Sequence, residues 1–167
     1  MATGSNRSWA GAALAVLAVL GTPSAQAQET GPMQGFALAN VAISTAQPER
    51  MARWYADVLG FEIKSQAPGV EGVQTYIIER DGVAIDLIRV PNQRPPETPL
   101  DPPRHLEVQG LRNLVFWADS LPAANAHLKS RGVALIWEGR YVEGIKTSIT
   151  AFRDPDGNLV ALWERRR

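Results

Sequence analysis

The chain has 167 residues, 45% of them apolar, with 17 basic side chains against 17 acidic ones. That length and composition fit one packed domain, and the balanced charge argues against a nucleic-acid partner, which leaves a strongly basic footprint. There are no cysteines, so disulfides, cysteine-ligated zinc, thiol catalysis and cysteine-linked lipid anchors are excluded.

The first 27 residues read as a secretory signal peptide. Arg7 supplies the positive start, Trp9 to Gly21 is an uncharged apolar run, and Ala25-Gln26-Ala27 is a cleavage site. The run is short for a membrane span, so no stable membrane insertion is expected after cleavage behind Ala27. An uncleaved anchor helix is the alternative. A single Arg rather than a pair favours general secretion, and the expected location is periplasmic or secreted.

Residues 28–35 are small and polar and read as a flexible N-terminus. Phe36 to Ser44 alternates in polarity and predicts a strand. Pro48 fits a helix's first turn. Met51, Trp54, Tyr55, Val58 and Leu59 then form an amphipathic stripe, and Gly60 is a left-handed stop. Phe61 to Ser65 predicts a strand and 67–72 a loop. Val73 to Glu79 and Val83 to Val90 predict two strands joined by an Asp81-Gly82 turn.

Residues 91–109 hold six of the 12 prolines. Such a segment is stiff and extended; it either spaces two modules or folds across the mouth of a cavity. The second module then repeats the first. Leu111 to Ala118 predicts a strand, Pro122 to Arg131 a helix with Gly132 as its stop, Val133 to Glu138 a strand, and Gly139 to Gly144 a loop. Ile145 to Arg153 and Leu159 to Glu164 are strands joined through Asp154-Pro155-Asp156-Gly157-Asn158, a turn set by Pro and Gly. Asn113 follows Asn40 by 73 residues and Ala161 follows Asp86 by 75, and a near-constant offset marks an internal repeat. The expected organisation is one domain over 36–167: module 1 at 36–90, the Pro-rich connection at 91–109, module 2 at 110–167.

Asn40 to Phe61 (NVAISTAQPERMARWYADVLGF) and Phe152 to Glu164 (FRDPDGNLVALWE), with the Gly110 to Val133 opening of the second module, resemble the vicinal oxygen chelate superfamily of glyoxalase I, bleomycin-resistance proteins, extradiol dioxygenases and fosfomycin-resistance enzymes. The resemblance implies an α+β fold in which two βαβββ modules form a curved eight-stranded cup with the helices outside. It also implies metal ligands, usually His, Gln or Glu, at the start of each module's first strand and the middle of its last. The matching positions here are Asn40, Asp86, Asn113 and Ala161.

This set departs from the pattern. Ala161 has no donor atom, the two Asn side chains offer only neutral amides, and iron, manganese, nickel and zinc favour imidazole and carboxylate. Neither histidine repairs it: His105 falls in the connection and reads as an exposed loop residue, and His127 lies on the second helix, which faces away from the cup. No metal or other cofactor is therefore expected; a divalent Fe, Mn, Ni or Zn ion belongs only to the alternative.

Strand parity selects the cup's lining. Asn40, Ala42, Ser44, Asp86, Ile88, Asn113, Val115, Trp117, Leu159, Ala161 and Trp163 face in, and their neighbours pack on the helices. Trp117 and Trp163 suit a flat or partly apolar ligand. Arg140 and Tyr141, in a loop matching 66–72, are expected at the rim. The favoured reading is a small-molecule binder of bleomycin-resistance type, using Asn40, Asp86, Asn113, Val115, Trp117, Ala161, Trp163, Arg140 and Tyr141. The alternative is a glyoxalase-like lyase or isomerase, or a dioxygenase-related enzyme, with Asp86 as general base or as an atypical metal ligand beside Asn40 and Asn113. A third reading is a scaffold that pairs as a homodimer through open sheet edges.

Overall fold

Alternation and helical periodicity in the sequence resolve into two copies of one unit. The computed structural model describes residues 38–68, 72–95 and 99–165; the signal-peptide and N-terminal readings lie outside them. The first module holds β1 (Val41–Ser44), α1 (Pro48–Leu59), β2 (Glu62–Pro68), β3 (Gln74–Arg80) and β4 (Val83–Arg89). The second holds β5 (Leu114–Ala118), α2 (Leu121–Ser130), β6 (Leu135–Val142), β7 (Thr147–Arg153) and β8 (Leu159–Glu164). Each sheet has four strands, in the orders β1-β4-β3-β2 and β5-β8-β7-β6. In each, the first strand runs parallel to the last and the other pairs are antiparallel. The sheets are not closed and together are cup-like.

The core sits on the helix side of both sheets. Met51, Tyr55, Val58 and Leu59 on α1 bury against Ile78, Ile85 and Leu87, and they share one cluster with Leu121, Leu128, Phe152, Val160 and Leu162 of the second module. Each large apolar side chain so buried contributes about 1.5–3 kcal/mol. Aromatic contacts cross between the modules, Phe61 with Phe116 at 5.9 Å and Trp54 with Phe152 at 6.3 Å between ring centroids, and Tyr55 meets Phe61 edge to face at 5.5 Å within the first module. The Tyr55 hydroxyl donates to Asp154 Oδ2 at 3.1 Å. Asp154 in turn accepts from the backbone N–H groups of Asp156 and Asn158 and from the Asn158 amide. One buried carboxylate thus fixes the β7–β8 turn and ties it to α1. Burial pushes the Asp154 carboxyl up, against the pull of those donors, and burial beside Asp154 pushes the Tyr55 phenol up.

The helix ends follow the sequence. Gly60 adopts φ 69°, and Phe61 N–H reaches back to Tyr55 O at 3.1 Å, which closes α1. Ser120 caps α2 by accepting from Ala123 N–H at 3.3 Å. His127 Nε2 lies 2.9 Å from Val58 O and joins the two helices.

Several boundaries move. Of the expected strand from Phe36, residues 38–40 are unpaired and pairing begins at Val41, opposite Ile85. Pairing of β5 begins at Leu114, opposite Val160, rather than at Leu111. β2 runs on to Pro68, into the expected loop. The largest correction concerns 139–144. The segment is not a loop up to Gly144, because β6 continues to Val142 through an irregularity between Trp137 and Arg140. Gly139 at φ 62° provides it, and its N–H donates to Thr150 Oγ1 at 3.1 Å. A glycine within a strand marks a bulge as readily as a turn. The connection also departs from a plain extended spacer: Arg104–Glu107 forms a 3-10 turn.

Candidate functional site

On β4, Ile85 and Leu87 are fully buried against the helix side, which turns Asp86 to the opposite face. Asp86 sits between Ala42 on β1 and Ile77 on β3. Asn40, just ahead of β1 and exposed, donates its side-chain N–H to Asp86 Oδ2 at 2.9 Å. The second oxygen, Oδ1, is buried and has no hydrogen-bond partner among the described residues. Ser44 accepts from Gln93 Nε2 at 2.6 Å, and the same amide donates to Ile88 O at 3.1 Å. The first residues of the connection therefore close one end of this sheet.

The second sheet presents an aromatic face. Pairing aligns Val115, Ala161, Ala151 and Trp137 in one cross-strand row, and Trp117, Trp163, Ile149 and Arg140 in the next. Trp117 and Trp163 meet edge to face at 5.9 Å, and the Arg140 guanidinium lies 4.5 Å over the Trp137 ring. Trp117 is 58% exposed and Val115 42%, so large apolar surface stands open on this face. Ala161 and Ala151 are buried in the middle of it. Thr150 points the other way and donates to Asn125 on α2 at 2.7 Å.

The expected site residues divide accordingly. Asn40 and Asp86 are joined by a hydrogen bond. Val115, Trp117, Ala161, Trp163 and Arg140 share the face of the second sheet. Asn113 stands half-buried just ahead of β5. Tyr141 does not join Arg140: it pairs with Ser148, two residues from the helix-facing Thr150, and projects exposed from the other face of β6. Both were read as loop residues, and both lie in a strand. Ile149 and Ala151 on β7 also belong to the two rows, and the glycine at 139 inside an otherwise β-forming run is the sequence signal that β6 continues beside them.

The residues do not fit a divalent metal. Ala161 brings no donor, Asn40 and Asn113 could bring only neutral amide oxygens, and among the described residues no group of three His, Asp or Glu side chains is placed to hold an ion. One carboxylate with a neutral amide is a poor set for first-row metals. His105 is not the exposed loop residue expected. It is half-buried in the 3-10 turn, with a backbone hydrogen bond to Pro103. Burial, and then the nearby charges of Arg112 and Arg153, hold its imidazole below the usual range.

Comparison with known proteins gives one consistent picture. Residues 37–162 match the family model described as Glyoxalase/Bleomycin resistance protein/Dioxygenase superfamily. The uncharacterized protein YaeR of Escherichia coli (strain K12) is 33% identical over 116 residues, covering 67% of this chain and 83% of that protein. Among solved structures, a glyoxalase family protein from Enterococcus faecalis superposes with a TM-score of 0.61 at 23% identity, over 77% of this chain and 97% of that one. TnmS3, an antibiotic binding protein from Streptomyces sp. CB03234, superposes with a TM-score of 0.54 at 25% identity, over 78% of this chain and 99% of that one.

Proposed function

The chain belongs to the Glyoxalase/Bleomycin resistance protein/Dioxygenase superfamily, and from that premise we propose that it is an exported binder of a flat, partly apolar small molecule, held in the cup without a divalent metal. The observation that carries this reading is the open aromatic face of the second sheet, where Trp117 and Trp163 stand edge to face beside Val115 and the Trp137–Arg140 stack. Indole faces supply large contact area and tolerate varied flat ligands. The antibiotic-binding TnmS3 supports small-molecule binding as a use of this architecture. Export rests on the apolar run and the Ala25-Gln26-Ala27 motif of the sequence.

The test has two parts. Protein purified without chelator and offered iron, manganese, nickel and zinc should carry far less than one metal per chain by elemental analysis; a stoichiometric metal overturns the metal-free part. Titration with a panel of flat aromatic compounds should quench tryptophan fluorescence, and Trp163→Ala should weaken each hit by about tenfold. Hits that bind Trp163→Ala with full affinity overturn the placement.

A second reading has its own observation, the unpartnered Oδ1 of Asp86. A carboxylate oxygen free of protein donors can take a proton from a bound substrate, which is the role Asp86 has in a glyoxalase-like lyase or isomerase. Turnover of a substrate that survives Asp86→Asn unchanged removes this reading.

A further inference from the structure

The connection between the modules does more than join them. Arg153, at the end of β7, donates to Leu100 O at 3.1 Å, to Asp101 Oδ1 at 2.6 Å and to Gly157 O at 2.7 Å. Residues 99–101 are thereby strapped to the β7–β8 turn. Between this strap, the 3-10 turn that carries His105, strand β1 and the start of β5 lies a cavity of about 420 Å³, within the size range of small-molecule sites. It shares Ala42, Ser44, Asn113 and Leu159 with the inward-facing set, but residues of both strand parities line it, Val41 and Ile43 together with Ala42 and Ser44, so it wraps the outer edge of β1. Among the described residues β1 is an edge strand, with no strand paired on that side.

The chemistry of the lining is uneven. Val41, Leu100, Val108, Leu111, Leu114 and Leu159 give apolar walls. Two basic side chains line it, Arg112 and Arg153, and one acidic side chain, Asp156. Arg153 is committed to the strap and to Asp101. Arg112 is not: its Nε donates to Leu111 O at 2.9 Å, and among the described residues its terminal nitrogens have no partner. Beside them lies the half-buried imidazole of His105. A guanidinium fork beside an imidazole in one partly apolar cavity matches an oxyanion, and a planar carboxylate in particular.

We propose that this cavity is a second ligand site, apart from the aromatic face of the second sheet, that takes an organic monocarboxylate with an apolar body, its carboxylate held by Arg112 beside His105 and its body against the leucines and valines under the strap. Asp156 opposes the ligand's charge and limits its affinity.

The test uses the protein with the non-aromatic probes cyclohexanecarboxylate and its neutral counterpart cyclohexanecarboxamide, read by titration calorimetry. The carboxylate is expected to bind with one site per chain, and the amide at least about tenfold more weakly, the loss of one charge-assisted contact. Arg112→Gln should cost the carboxylate about tenfold and leave the amide unmoved. Asp156→Asn should tighten the carboxylate by several fold, an effect that damage to the fold does not produce and that stands even where Arg112→Gln folds poorly. No heat at millimolar carboxylate, equal binding of acid and amide, or full affinity in Arg112→Gln overturns the proposal. Carboxylate binding that falls with Trp163→Ala and not with Arg112→Gln assigns the probe to the cup, which sinks this site and leaves the binding function standing.

Discussion

Removing the Tyr55 hydroxyl tests whether the two modules are held as one body by the contact between α1 and the β7–β8 turn. Tyr55 is fully buried, and its hydroxyl donates to Asp154 Oδ2 at 3.1 Å. In Tyr55→Phe the ring and its edge contacts with Trp54 and Phe61 remain, and Asp154 Oδ2 still accepts from Asn158 at 2.8 Å. No polar atom is orphaned, so the cost is that of one hydrogen bond to a charged acceptor, about 1.5–3 kcal/mol. Asp154→Ala is different. It leaves the Tyr55 hydroxyl buried without an acceptor and releases the Asp156 and Asn158 backbone donors, for about 3–5 kcal/mol in all. Urea unfolding followed by tryptophan fluorescence measures both, with an unchanged m-value as the sign that stability alone moved. The double variant should cost much less than the sum, since the two residues form one network. A Tyr55→Phe midpoint equal to wild type, or strictly additive costs, refutes the latch.

Three further outcomes follow from other contacts. His105 is held neutral in the fold, below its unfolded value near 6.5. The unfolded chain therefore takes up a proton first as pH falls through that value, and stability drops with it; urea midpoints measured from pH 7.5 to 5.5 should fall less steeply in His105→Gln than in wild type. At Gly139, with φ 62°, an added Cβ meets nothing within 4 Å, so Gly139→Ala should lower stability by the backbone cost alone, about 1–2 kcal/mol, and should shift the amide resonances of 137–142. Asn125→Ala removes the acceptor of the buried Thr150 hydroxyl and should cost about 1–3 kcal/mol by thermal unfolding.

What the sequence made legible was local and periodic. Ile85 and Leu87 flank Asp86, and a period of two places the pair in the core and the carboxylate on the other face. The stripe from Met51 to Leu59 did the same for α1, and the repeat offset paired Asn40 with Asn113. What it left out depends on partners far along the chain. Leu111 to Asn113 look like strand, yet Arg112 turns back on Leu111 O and β8 offers Leu114 its first partner at Val160. Gly139 and Gly144 look alike in sequence, and only pairing with β7 tells a bulge at the first from a turn near the second. His105 looked exposed because its enclosure comes from segments remote in the chain.

The two halves of the cup have diverged in chemistry while keeping one topology. A metal bound between pseudo-equivalent modules needs donors from both; here the first module keeps an amide and a carboxylate that bond to each other, and the second has Ala161 set among indoles. Restoring a donor at 161 alone does not rebuild the set, because Asn40 and Asp86 already satisfy part of each other and the amides remain weak ligands. The proposed binding function would use this difference: a flat apolar body on the second sheet would be recognised by the indoles, and a polar group on the first by Asn40 and Asp86, where a chelated metal would draw on the likeness of the modules.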